Sequence, residues 1–522
     1  MRRTWVRSAS RPCLAVGLSC VGLLGSAPPG AAQTSLVVQA RFTSDADGFT
    51  YADDVFRNTG QPNYASGTRI ASGGFSGGAL RVNVGGVNTT TIQNMSGGWR
   101  RNFTTTASAN VIVSFRFKLT QTAEYESDEL SQLLVSVDGI LRGYSPKDYA
   151  AQVVGNGNGG SSITTGWRLF HVNIGSLAAG GHSLVVGGFN NKKTYNNEST
   201  EIVIDDVLIA ESADPAAGAE VAVAALDFVR FKQSIQTLSG FGDRTQGTQS
   251  NVNAGNWIQQ RLESFGYGVV RHAYTYNGQA RQNIYATKVG TVFPDRMYIV
   301  SAHFDGRGGG GGADDDGSGV ALVLETAFAL AQLETDASVR FILWNNEETG
   351  LNGSAAYAQS RSSLQGVENP AGSGLYPEPS WLGVIQHDMI LFDHGRPPQA
   401  SQIAAADVDI EYQTSSTLAD PSLTLANSLR SGNGRHSVRY PSQVGSNMRN
   451  TDSYSFRNLT ASVSVRENQR IAEIGNGANP HWHQPTDLYG TYSELDFELG
   501  FDAVRMTVGT VAELAGAQLG SN

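Results

Sequence analysis

Apolar residues occupy every second position at Val111, Val113, Phe115, Phe117 and Leu119, with Ser114, Arg116 and Lys118 between them. A period of two puts one set of side chains on one face of an extended chain, so this run predicts a half-buried strand. Shorter runs of the same kind lie at 132–137, 167–174, 183–189 and 201–209, separated by stretches rich in Gly, Thr, Ser and Asn. Several short strands joined by polar turns predict an all-β, jelly-roll-like sandwich over residues 35–210.

The pattern changes further on. Residues 256–265 and 320–333 have helical periodicity, 283–289, 297–302 and 340–344 are strand-like, and 501–514 form a closing helix. Such alternation predicts a three-layer α/β sandwich around a mostly parallel sheet, spanning 226–520. Between the two regions, residues 211–225 are mostly Ala, Gly, Pro and Val without an aromatic, which suits a linker. At the start, Arg2, Arg3 and Arg7 precede a short apolar stretch from Cys13 to Leu24 and the small residues Gly30, Ala31 and Ala32. That order predicts an export signal over 1–32 and a secreted or periplasmic protein.

Composition narrows the partners. The only cysteines of the 522-residue chain, Cys13 and Cys20, fall in the expected leader, so the mature protein would carry no disulfide. No segment approaches the apolar length that spans a bilayer, so an integral membrane protein is not expected. A net charge of -10 with scattered Lys and Arg offers no stripe for a phosphate backbone, which argues against nucleic acid.

The candidate chemistry lies where strands should end or helices begin, the usual place for it in α/β enzymes. The run 297–302 leads into His303-Phe304-Asp305, and residues two apart on an extended segment point the same way, so Asp305 can orient His303. A glycine-rich stretch, 306–312, precedes Asp314, Asp315 and Asp316 and the helix after them, without the lysine of a phosphate-binding loop. Helix capping accounts for Asp314 but leaves Asp315 unexplained. The strand 340–344 is followed by Glu347 and Glu348, a pair in which one carboxylate can hold metal while the other handles a proton. With Asp388 and His483, the metal-ligand types His303, Asp315, Glu348, Asp388 and His483 are complete. His481 competes with His483, and the following Pro485 and Asp487 favour His483. His387 should face away from its neighbour Asp388, and His394 reads as loop.

The segments Ser301–Asp305, 312–319, 346–354, 386–389 and 483–487 resemble the di-zinc aminopeptidases of metallopeptidase family twenty-eight, which includes bacterial leucyl aminopeptidases and aminopeptidase Y. The resemblance covers about 226–520 and leaves the N-terminal sandwich outside. It implies a zinc exopeptidase with two Zn2+ ions, Asp315 bridging them, His303 and Asp388 completing one site, and Glu348 and His483 the other. It further implies Glu347 as general base, Asp305 as the partner of His303, and a cis peptide between Asp315 and Asp316. Peptides or proteins with free N-termini would be the substrates. Glutaminyl cyclases of the same superfamily keep a single-zinc set, whereas His303 and Asp388 preserve the second set here. Many relatives have tyrosine before the last histidine; this chain has Trp482, whose indole donates one hydrogen bond and cannot titrate.

For the sandwich, polysaccharide is the expected partner, with Trp99 and Trp167 as stacking platforms if exposed, and Ca2+ the expected ion at Asp45, Asp47, Asp53 and Asp54 or at Asp205 and Asp206. A spacer is the bland alternative. Asp452, within 451–456, lies in a segment similar to one near the family's substrate pocket, and turn chemistry explains it as well. For the whole chain, the alternatives to an aminopeptidase are a carboxypeptidase or dipeptidase of the same family, or a non-catalytic, polymer-binding adhesin on an enzyme scaffold.

Overall fold

The computed structural model describes residues 34–520 except 158, 213, 394–407, 446–447 and 469–477. The expected leader with Cys13 and Cys20, and His394, lie outside the described residues. The N-terminal region consists of two antiparallel sheets. One runs Ile163–Thr164, Ala109–Gln121, Ser199–Ser212, Ala79–Gly85, Ala65–Ile70, with Ser35–Ala40 and Arg168–Leu177 also paired to it. The other runs Thr50–Asp53, Ile92–Thr105, Gly180–Lys193, Leu130–Val137, Ile140–Leu141, with Ala151–Val154 on Leu130–Val137. Val82, Phe115 and Ile204 from the first sheet share one core with Met95, Val135 and Val186 from the second.

All five alternating residues from Val111 to Leu119 face this core. The polar set between them does not simply meet water, because Ser114 and Arg116 are buried. Arg116 is covered by the C-terminal region. Its Nη2 donates to Ser380 Oγ at 2.6 Å and lies 3.7 Å from Asp295 Oδ2, while Nε is 3.3 Å from Asp206 Oδ2. Phe75 stacks beneath it, 3.9 Å from guanidinium carbon to ring centre. Gly366, at φ +68°, makes room: a Cβ there would overlap both the guanidinium and Ser380 Oγ.

The C-terminal region is built on an eight-stranded sheet in the order Val269–Tyr276, Gln279–Lys288, Ala337–Trp344, Phe293–His303, Ser380–His387, Ser462–Glu467, Val408–Tyr412, Ser442–Gly445. The four central strands are mutually parallel, and antiparallel pairings flank them on both sides. One face is covered by helices that include Gly317–Ala331 and Glu494–Ala515, which bury Val300, Phe341 and Ile385. The other is covered by Asn352–Arg361 and the turn Asp452–Phe456, where Tyr357 and Phe456 pack on Ile299, Ile342 and Trp344. Strands buried on both faces read as continuous apolar runs, which is why this sheet lacks the period-two signature of the N-terminal strands.

The linker expected at 211–225 is not one. The strand Ser199–Ser212 continues into it, and Pro215–Ala224 is a helix capped by Asp214, with Ala219 and Ala222 in the C-terminal core. Small residues let this helix lie close against Glu494–Ala515 and Ala517–Leu519, and the same composition resembles a linker when read along the chain.

Contacts between the two regions gather at the N-terminal ends of the parallel strands. Besides Arg116, Thr34 Oγ1 donates to Asp336 Oδ2 at 2.6 Å, just before the strand Ala337–Trp344, and Tyr149 OH donates to Asp420 Oδ2 at 3.2 Å. Removing the Arg116 guanidinium takes a donor from the partly exposed Asp206 and Asp295 and from buried Ser380, a change that costs about 1–3 kcal/mol. Arg116→Ala should therefore lower the melting temperature and split a joint calorimetric transition into two; an unchanged single transition would show that Arg116 does not couple the regions.

Candidate metal centre

The strand Phe293–His303 ends at the edge of the sheet opposite the domain contacts, and His303 is its last residue. The following glycine-rich loop is held by Arg244, a fully buried residue. Its Nε donates to Phe304 O at 2.9 Å, Nη2 to Gly312 O at 3.0 Å, and Nη1 to Gly311 O. Gly308 has φ +88°, and a Cβ there would overlap the backbone of His483. The loop thereby brings the distant 481–487 segment against the strand end.

Three of the candidate ligands, His303, Asp315 and Glu348, are fixed through their backbone amides by neighbouring carboxylates. Asp316 caps the helix Gly317–Ala331 through Gly319 N and also accepts His303 N at 3.0 Å, joining helix start to strand end. The cap is therefore Asp316, not Asp314; Asp314 instead accepts Leu391 N at 2.9 Å and Asn479 Nδ2 at 2.7 Å. Asp487 accepts Asp314 N at 2.9 Å and Asp315 N at 3.1 Å through its two oxygens. The peptide between Asp315 and Asp316 is cis.

Asp305 accepts Glu347 N at 3.1 Å and Glu348 N at 3.3 Å, so it sets the glutamate pair. Its contact with His303 differs from the expected one: Nδ1 of the ring lies 3.3 Å from the Asp305 carbonyl oxygen and 3.5 Å from its carboxylate. The carboxylate is drawn toward the two glutamate amides.

His303 Nε2 is 3.1 Å from Asp315 Oδ1 and 3.8 Å from Asp388 Oδ1, whereas His483 Nε2 is 3.2 Å from Asp315 Oδ2 and 2.9 Å from Glu348 Oε2. Two triads of ligand atoms result, His303–Asp315–Asp388 and Asp315–Glu348–His483, each within 4.8 Å and sharing Asp315 through different oxygens. Glu347 groups with His303 and Glu348 in the same way. His303 Nε2 and Glu348 Oε1 are buried with no hydrogen-bond partner. Imidazole nitrogens and carboxylate oxygens in two such triads fit two zinc ions.

Among the described residues, His481 is not in either triad. Its Nδ1 pairs with Thr486 Oγ1 at 2.9 Å, leaving His483 as the grouped histidine. His387 is buried between Ser301 O and Thr507 Oγ1, and burial pushes it down to about 3, so it is a packed neutral ring. Trp482 is 54% exposed and lies over the His483 ring, 4.4 Å between centres. Asp452 is fully buried, and burial pushes it up to about 7. Arg244 and Arg466 had no sequence signal, being isolated arginines in unremarkable contexts. Arg466 Nη2 contacts Asp388 Oδ2 at 3.2 Å, leaving Oδ1 facing His303.

In the N-terminal region the candidate calcium aspartates do not form a ligand group among the described residues. Asp47 accepts Arg41 N and Phe42 N, Asp45 accepts Asp47 N, and Asp54 accepts Gln61 N, all local turn bonds. Asp205 accepts Ser76 N, and Asp206 pairs with Arg116. The acidic residues that do gather are Glu126, Glu129 and Glu198. Trp99 is buried and donates to Arg81 O at 3.1 Å, which rules it out as a sugar platform, while Trp167 is only partly exposed.

The two triads lie beside the C-terminal ends of parallel strands, and their residues would hold two metal ions. The model of peptidase family M28 matches residues 283–499. A "Probable zinc metalloprotease" of Pyricularia oryzae is 32% identical over 183 residues, covering 30% of this chain and 36% of that protein. "Leupeptin-inactivating enzyme 1" of Streptomyces exfoliatus is 29% identical over 163 residues, covering 29% and 37%. The matched stretch thus spans little more than a third of these curated relatives. Among solved structures, the LapA aminopeptidase of Legionella pneumophila aligns over 57% of this chain and 72% of its own at 18% identity and a TM-score of 0.46. The aminopeptidase of Aneurinibacillus sp. strain AM-1 aligns over 58% and 97% at 16% identity and a TM-score of 0.42.

Without metal, the acid groups hold the histidines charged. Burial disfavours the charged rings, but Asp305 and Asp315 raise His303 well above its ordinary value, and Asp315 and Glu348 raise His483 to about 9. Both rings are therefore held toward their protonated forms and must lose that proton to bind metal. Zinc uptake by metal-free protein at pH 7 should release protons, and affinity should rise as pH climbs toward 9. Calorimetric titrations in buffers of different ionisation enthalpy measure this; uptake without proton release would remove these histidines from the ligand set.

Proposed function

We propose that the chain is an exported zinc aminopeptidase that hydrolyses the first peptide bond of peptides with free N-termini, using two Zn2+ ions and Glu347 as general base. The scaffold we assign is the three-layer α/β sandwich of zinc exopeptidases, preceded by a jelly-roll-like sandwich. The observation that carries this reading is Asp315, whose two oxygens serve separate triads beside Glu347. Support for export comes from the leader pattern at 1–32 and a remainder without cysteine. No helix among the described residues is long and apolar enough to cross a membrane.

Zinc, when bound, supplies the Lewis acidity that makes water nucleophilic near neutral pH and polarises the scissile carbonyl. The protein supplies the rest. Burial raises Glu347 well above the ordinary carboxylate value, against the pull of His303, which suits a group that takes a proton from the attacking water and returns it to the leaving amine. Asp305 holds the Glu347 and Glu348 backbone so that the two carboxylates keep separate tasks. Against their burial, neighbouring cations hold Asp315 and Asp388 below the ordinary carboxylate range and so keep negative charge at the site, an environment that favours a substrate ammonium group.

The N-terminal sheets sit at the far edge of the catalytic sheet and leave its active edge uncovered by any contact described above. A polysaccharide partner for them rests on Trp167 alone, now that Trp99 is internal.

Chelation should abolish release of p-nitroaniline from aminoacyl p-nitroanilides, and zinc should restore it. Glu347→Gln should keep two metal ions per chain and lose about 10²- to 10⁴-fold in kcat. Full activity of that variant would remove Glu347 as the base. Cleavage of N-acetylated peptides at the rate of free ones would favour the carboxypeptidase or dipeptidase reading. A metal-bound protein inert to all of these would favour the adhesin.

A further inference from the structure

At the end of the sheet away from the metal centre, the two regions enclose a cavity of about 1190 Å³. Arg296 lines it, seven residues before His303 on the same strand and so about 23 Å away at ~3.3 Å per residue. Its side chain is 1% exposed, yet Nε and Nη1 are buried with no hydrogen-bond partner. The nearest carboxylate oxygen, Asp295 Oδ2, is 3.8 Å from Nε. The guanidinium rests over Phe293 at 5.0 Å from the ring centre, and His171 packs edge-on against the same ring at 5.3 Å. His171 Nδ1 is likewise buried without a partner. Burial, helped by Arg296, holds His171 down at about 3, so its ring is neutral.

Arg296 and His171, one from each region, thus pack on the same Phe293 ring and line the cavity, each with a buried nitrogen that has no hydrogen-bond partner. Buried guanidinium donors are expensive to leave unmatched, and the acceptor they fit best is a planar carboxylate. Asp206 and Asp295 line the same end, so a doubly charged phosphate would be repelled more than a single carboxylate. The remaining wall carries Phe75, Trp167 and Tyr144, which suit an apolar or aromatic body. We propose that this cavity binds a small monocarboxylate with an aromatic or aliphatic body, its carboxylate held by Arg296 beside His171. The proposal is independent of the peptidase reading.

The test is calorimetric titration of the full-length, metal-loaded protein with N-acetyl-L-phenylalanine, and with N-acetyl-L-phenylalaninamide as the uncharged control. Binding of the acid but not the amide is expected, weakened at least tenfold in Arg296→Met with metal content unchanged. Because Arg296 has so few partners to lose, the variant should melt no lower than wild type. Trp167→Ala, which keeps both nitrogen groups, should also weaken the acid. Acid binding that survives both substitutions would place the probe elsewhere and overturn the proposal. So would an absence of binding by wild type at millimolar acid, or a marked fall in the melting temperature of Arg296→Met, which would make the arginine a structural group.

Discussion

The constraint on which the metal-triad end of the molecule depends is the confinement of many carboxylates in a place with little water. Asp305, Asp314, Asp315, Asp316, Asp388, Asp452, Glu467 and Asp487 are all buried around one strand edge. Left to themselves they would repel and push one another toward protonation. Backbone amides relieve much of this: Asp305, Asp314, Asp316 and Asp487 each accept one or more peptide N–H groups from segments far away in sequence. Arg244 and Arg466 add fixed positive charge, the first behind the glycine-rich loop and the second against Asp388. The same bonds that neutralise the acids therefore hold five separate segments in register. Electrostatic relief and geometric precision are one device here.

That device explains which features the sequence made legible. The candidate ligands His303, Asp315, Glu348, Asp388 and His483 were readable as ligand-type side chains in short motifs, four of them at or near a strand end or a helix start. Their supporting groups were not. Asp487 acts across a gap of 172 residues to reach Asp315 N, and no local pattern encodes such a partnership. Arg244 looked like any loop arginine. The assignment of the helix cap to Asp314 failed for a related reason, since three consecutive aspartates offer the same local chemistry and only the tertiary bonds to Leu391 and Asn479 decide which one turns inward.

The fold showed the same division. Strand alternation in the N-terminal region located Ala109–Gln121, but the polar face of that strand is buried where Arg116 meets the other region. Periodicity reports which side of a strand is apolar, not whether the polar side meets water or a partner surface. The 211–225 stretch failed in the opposite sense: alanine, glycine and valine without charge periodicity resemble a linker, yet small residues are what a helix needs to lie close against its neighbours, as Ala219 and Ala222 do.

A single strand, Phe293–His303, joins the two ends of the molecule. Its last residue belongs to the metal triads, and its first residues, Phe293, Asp295 and Arg296, form the floor on which the N-terminal region rests. Between them Val300 and Ala302 bury one face, Met297 and Ile299 the other, so the strand is clamped along its length. A strand packed on both faces and paired on both edges has little freedom to bend, and displacement at one end must be absorbed by its neighbours. The surface that docks the N-terminal region and His303 are therefore the two ends of one strand held along its whole length. The N-terminal region covers the edge from which the parallel strands start, and the metal triads lie at the edge where they end.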